Sequence, residues 1–79
     1  METMNWKREL PRLTWESIYR TVDEGDEFRI IRHKRSGRVQ LWIWRGSRGD
    51  HSEHFDHLPS VREAKALSEQ RRRHQGVAW

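Results

Sequence analysis

Aliphatic side chains alternate with Gln and Trp over Val39-Gln40-Leu41-Trp42-Ile43-Trp44, and a short polar loop separates this run from Phe28-Arg29-Ile30-Ile31-Arg32. Successive side chains on a strand point to opposite faces, so Val39, Leu41 and Ile43 share one side while Gln40, Trp42 and Trp44 share the other. The chain is therefore constrained to a two-faced hairpin whose aliphatic side must be buried against another element. If Lys34 to Gly37 form a four-residue loop, Arg32 opposes Val39, Ile30 opposes Leu41 and Phe28 opposes Ile43, which gathers the apolar residues into one patch. A three-residue loop with a left-handed Gly37 would slip the register by one and set Phe28 and Ile30 beside the tryptophans. The four-residue loop segregates the faces better and is the register expected.

The flanking segments complete an α+β plan. Leu13 to Val22 fits two periods. Trp15, Ile18, Tyr19 and Val22 have helical spacing behind Thr14, whereas the β-branched and aromatic content of Ile18-Tyr19-Arg20-Thr21-Val22 suits a strand. The turn Asp23-Glu24-Gly25-Asp26, with Gly25 free to take a positive φ, favours the strand and puts Trp15, Tyr19 and Thr21 on the face of Phe28 and Ile30. The three carboxylates of this turn read as solvated turn-formers. Beyond the loop Gly46-Ser47-Arg48-Gly49-Asp50, residues 51–57 offer one large apolar residue, Phe55, and suit a short edge strand. Ser60 with Glu63 three residues on is a capping box, and Val61, Ala64, Leu67 and the stem of Arg71 form a stripe that can lie on a sheet, with Gly76 as the stop. The expected fold is an antiparallel meander of three strands, or four, packed against one C-terminal helix. Residues 1–12 read as an N-terminal arm in which Trp6 and Leu10 can dock, residues 13–76 as the domain and residues 77–79 as a tail.

With 79 residues, 33% hydrophobic and 35% charged, there is material for one small core only, and the five tryptophans must supply much of it. The absence of cysteine excludes disulfides and thiolate metal sites. No apolar run approaches the roughly 20 residues that cross a bilayer, and no signal-peptide core follows the start, so the expectation is a cytoplasmic protein without membrane contact. Charge is segregated. Residues 27–45 carry a net +5 and residues 62–79 a net +3, whereas 1–26 and 46–61 each carry −2. Positive charge concentrated on two elements, with a pI near 10.3, is the electrostatic footprint of a nucleic-acid binder.

No cysteine nucleophile, glycine-rich phosphate loop or serine elbow is present, so neither an enzyme nor a cofactor is expected. His51, His54 and His57 recur every third residue among carboxylates. That spacing does not keep ligands on one face of a strand, and they read as exposed polar positions rather than a metal site. The candidate binding residues are instead Arg29, His33, Lys34, Arg35, Arg38, Gln40, Trp42 and Trp44 of the hairpin and Arg71, Arg72 and Arg73 at the helix end. The Trp face is either packed under the N-terminal arm or open, with Arg29, Arg38 and Gln40, for stacking and phosphate contact. The three helix-end arginines also complement the helix dipole.

In order, Phe28-Arg29-Ile30-Ile31-Arg32, Gly37-Arg38-Val39-Gln40-Leu41-Trp42 and Phe55-Asp56-His57-Leu58 leading into Val61-Arg62-Glu63-Ala64-Lys65 resemble the arm-type DNA-binding domains of tyrosine recombinases and the related AP2-like domains. The resemblance spans about residues 27 to 73. It implies that the sheet enters the major groove, with Arg29, Arg38, Gln40, Trp42 and Trp44 on the DNA side and the helix behind. The chain also looks like small stand-alone proteins carried by phages of actinobacteria, which implies the host cytoplasm. The leading expectation is a DNA-binding domain, with RNA as a related partner, serving as an accessory factor of a phage or mobile element. The alternative is a protein-interaction module that modulates a host protein, with an acidic partner docking on the Trp and Arg face.

Overall fold

The structure, a computed structural model, describes residues 4–9, 16–46 and 51–72. Five antiparallel strands, β1 (Lys7–Glu9), β2 (Glu16–Asp23), β3 (Asp26–His33), β4 (Val39–Arg45) and β5 (His51–Leu58), pair in chain order, and α1 (Val61–Gln70) follows. The class is the α+β meander expected, with more strands. β1 is absent from the sequence reading because Lys7-Arg8-Glu9 has no apolar alternation; it exists by pairing Lys7 with Arg20 and Glu9 with Ile18 along the β2 edge. The stretch read as an arm is thus partly sheet. Met4 is buried in the core and Trp6 packs against it, while Leu10 lies outside the described residues.

Residues 16–23 form a strand, and Tyr19 and Thr21 oppose Ile30 and Phe28 as expected. Trp15 lies outside the described residues. The β2–β3 connection is tighter than a four-residue loop. Asp23 and Asp26 still pair, and Glu24 (φ 52°) and Gly25 (φ 82°) make the two-residue turn. Two positive φ values are what a type I′ turn needs to match the twist of its strands. At the next hairpin, His33 N–H donates to Arg38 O at 2.8 Å and Gly37 N–H to His33 O at 2.8 Å, which closes the loop over Lys34 to Gly37. Gly37 takes φ 73°. The register is the one that segregates the faces, with Phe28 opposite Ile43, Ile30 opposite Leu41 and Arg32 opposite Val39.

One face of the sheet holds the core. Phe28, Ile30, Leu41, Ile43, Val39 and Ala64 of α1 are buried, and Tyr19, Phe55, Leu58, Val61 and Leu67 close around them. β5 stays in this face through a bulge. Leu41 pairs with Phe55 but Val39 with Leu58, so one extra residue is accommodated, and His57 takes φ 55° there. Without that residue the alternation would turn Leu58 outward.

Ser60 caps α1, its Oγ accepting from Glu63 N–H at 3.1 Å. Ala64 meets the sheet directly, and buried Ser68 satisfies its hydroxyl by donating to Ala64 O at 2.8 Å. The helix ends at Gln70, well before Gly76, which lies outside the described residues, as do Arg73 and the tail Val77-Ala78-Trp79. It ends there because Arg71 caps it and buried Arg72 turns back to Asp23 at 3.0 Å and Glu69 at 3.0 Å. The last turn carries no basic residue, so among the described residues the dipole role expected of the arginine run is left to Arg71 at the cap.

The turn carboxylates correct the sequence reading. Asp26 is fully buried, accepting from Arg45 Nη1 at 2.9 Å and Gly46 N–H at 3.0 Å, and Asp23 holds Arg72; only Glu24 is exposed as a turn residue. Arg45 also donates to Glu53 at 2.8 Å and to Arg71 O at 2.8 Å. A chain of ion pairs therefore ties the β2–β3 hairpin and β5 to the C-terminal end of α1.

Candidate nucleic-acid interface

The helix covers only the core face, so the other face of the sheet is defined by residues of opposite parity. Reading across strands, one row holds Arg20, Arg29, Trp42 and His54, the next Val22, Glu27, Trp44 and Ser52, and a third Ile18, Ile31 and Gln40. β1 lies beside β2 in the sheet, and Met4 and Trp6 pack on the core side. Among the described residues no segment lies over the Trp face; residues 1–3 and 10–12 of the stretch read as an arm lie outside them.

At its centre the rings stack. His54 lies against Trp42 with centroids 3.8 Å apart and planes 16° from parallel, and Trp42 and Trp44 are 5.8 Å apart at 12°. The guanidinium of Arg29 sits 5.4 Å from the Trp44 ring centre, within cation–π range. Both indoles are half-buried, as are Ile18 and Ile31, and Val22 is 56% exposed. His54 joins the ring cluster although the sequence reading did not place it among the binding candidates. Its signal is its place opposite Trp42, in the regular register that runs from Arg45–His51 to Leu41–Phe55 before the bulge.

The hydrogen-bonding groups of this face are largely occupied. Glu27 accepts from Arg20 at 3.2 Å and from Arg29 at 2.9 Å. The hydrogen bond from Arg20, aided by Arg29, holds the Glu27 carboxyl below its ordinary value against the opposing effect of burial. Nε of Arg29 is buried without an acceptor among the described residues. Arg38 reaches across to β5, donating through Nε to Asp56 at 2.9 Å and through Nη2 to the other carboxylate oxygen, a bidentate pair. Gln40 donates to Asp56 at 3.4 Å and His57 N–H at 2.7 Å. The Arg38 guanidinium foremost holds the Asp56 carboxyl well below the usual carboxylate range. His33 lies 3.7 Å from Glu16.

Lys7, Arg8 and Lys65 make no ion pair among the described residues, and a further group of such cations lies at one end. Lys34 and Arg35 are exposed at the β3–β4 tip, and exposed Arg32 and Arg62 line one shallow groove beside the start of α1. None of these four makes an ion pair among the described residues. Arg71 and Arg72 belong elsewhere. Arg71 binds Glu53 and sits 5.5 Å from the Phe55 ring centre on the helix side, while Arg72 is 7% exposed. The hairpin candidates are thus brought to one face and one end, and the two described helix-end arginines are not.

Among the described residues no three His, Asp or Glu side chains gather as metal ligands, and His57 is exposed at the bulge. No helix described is long and apolar enough to cross a membrane. No known protein family, curated protein or solved structure matches the chain.

Proposed function

We propose that this chain is a non-enzymatic nucleic-acid-binding domain that works through the helix-free face of its sheet. One observation carries the reading: the stacked rings of Trp42 and Trp44 on β4 and His54 on β5 lie on the helix-free face, and β4 leads to Lys34 and Arg35, which make no ion pair among the described residues. Bases find a stacking platform on the rings, and phosphates find charge at the loop. The binding test is a fluorescence-anisotropy titration of labelled DNA at a series of salt concentrations. Counterion release requires the logarithm of affinity to fall linearly with the logarithm of salt. Absence of salt-dependent binding near physiological ionic strength overturns the proposal.

A second reading, a protein-interaction module, draws on a different observation. On the face itself Arg20, Arg29 and Arg38 are already balanced by Glu9, Glu27 and Asp56, leaving an aromatic and aliphatic centre with little net charge. Such a surface suits a protein partner whose affinity responds weakly to salt. The same salt series separates the two readings.

A further inference from the structure

We infer that the ligand of the sheet face is a single strand of nucleic acid rather than a duplex. This rests on the nucleic-acid reading above and names its substrate class. The first ground is width. Neighbouring strands lie about 4.8 Å apart, so five strands span roughly 19 Å, whereas the major groove of B-DNA is about 12 Å wide and admits a helix or a two-stranded ribbon. The groove insertion implied by resemblance to three-stranded domains does not carry over to this broader sheet.

The second ground is the state of the polar groups. Reading a duplex needs donors and acceptors directed at base edges. Here Arg38 and Gln40 are bonded to Asp56, and Arg29 to Glu27. Each would have to leave a partner before it could meet a base. The rings are already in contact too, Trp42 with His54 on one π-face and Trp44 with Arg29, but an unstacked base needs only a face that these leave and no ion pair has to break.

The third ground is spacing. Trp42 and Trp44 present rings 5.8 Å apart. Duplex bases are fixed at about 3.4 Å per step and have both faces already covered, while a single strand can extend to match the rings. From Trp44 back along β4 to Arg38, just before the strand, is six residue steps, roughly 20 Å at 3.3 Å per residue. A strand laid along that line passes Trp44 and Trp42 and brings its phosphates to Lys34 and Arg35. Ring stacking does not distinguish ribose from deoxyribose, so single-stranded DNA and RNA are both within the class.

The deciding experiment uses the full chain with three labelled probes of equal nucleotide number: oligothymidylate, oligouridylate and a random-sequence DNA duplex. Intrinsic tryptophan fluorescence is followed in parallel. Expected are at least tenfold tighter binding of a single strand than of the duplex, and quenching of tryptophan emission on binding. Trp42→Ala should weaken single-strand binding about 5- to 150-fold and leave duplex binding unchanged. His54→Ala, at an exposed edge-strand position, should weaken single-strand binding in the same sense and keeps the test decisive if the Trp42 variant misfolds by circular dichroism. Duplex bound as tightly as either single strand, or folded Trp42 and His54 variants with parental affinity, overturns the inference while leaving the nucleic-acid reading intact. Failure of all three probes to bind overturns that reading and the inference with it.

Discussion

Leu41 and Trp42 are neighbours in sequence and differ in everything that burial decides. Leu41 is fully buried under α1, and Trp42 is half-buried on the open face. Leu41→Ala or Ile43→Ala should therefore cost roughly 2–5 kcal/mol, as core truncations that leave a cavity do, and in so small a domain that cost threatens folding itself. Trp42→Ala and Trp44→Ala should cost clearly less in thermal melts of the same series. The opposite order would mean that the faces are reversed. Both faces were legible from residues 39–44 because side-chain parity needs no knowledge of the partner strand. Asp26 was not legible. Its burial depends on Arg45, 19 positions away, and on the Gly46 N–H, so turn chemistry alone placed it in solvent. Asp26→Ala should leave that N–H and one arm of Arg45 unsatisfied and lower stability by on the order of 3 kcal/mol, read from the denaturant midpoint.

Among the elements, the two hairpins and the helix start were readable because each carries its own punctuation: Glu24-Gly25, Gly37 and the Ser60–Glu63 cap. The edge strand β1, the register of β5 past Phe55 and the helix end were not. β1 borrows its order from β2, β5 hides its parity behind the bulge at His57, and the helix is stopped by Arg72 reaching Asp23 across 49 positions rather than by a local breaker. A change to the β2–β3 turn tests the local logic. Glu24 holds φ 52°, where Asn is better tolerated, and Asn-Gly is the preferred pair for a type I′ turn. Glu24→Asn should raise the melting temperature, by an amount corresponding to about 0.5–1 kcal/mol, without altering the sheet. A lowered melting temperature would contradict the assigned turn.

Across the whole molecule the charges divide into a clasped end and an open end. At the clasped end burial disfavours ionised Glu53, but hydrogen bonds from Arg71 and Arg45 outweigh it and hold the carboxyl below its ordinary value. Glu27 and Asp56 are lowered as well. A folded-state value below the unfolded one gives stability that is present above the unfolded carboxylate range, near pH 4, and lost as pH falls through the folded values. Melting temperature should thus stay level from neutrality to about pH 5 and decline below it, with a shallower decline in Glu53→Gln. The open end should behave in the opposite way, affecting binding without affecting stability. Lys34 and Arg35 make no ion pair among the described residues and sit on a loop whose closure depends on backbone hydrogen bonds of His33 and Gly37. Lys34→Ala combined with Arg35→Ala should leave the melting temperature within the range of about 0.5 kcal/mol typical of neutral surface changes. If each side chain neutralises one phosphate of a single strand, the salt slope of binding should shrink by roughly 0.7 per contact, about 1.4 for the pair. Arg72→Ala supplies the counterpart, since it strips Asp23 and Glu69 of a buried partner and should destabilise the fold while the open end keeps its charge. Parental salt dependence in the loop variant would remove Lys34 and Arg35 from the interface and shift the weight to the protein-partner reading of the aromatic face.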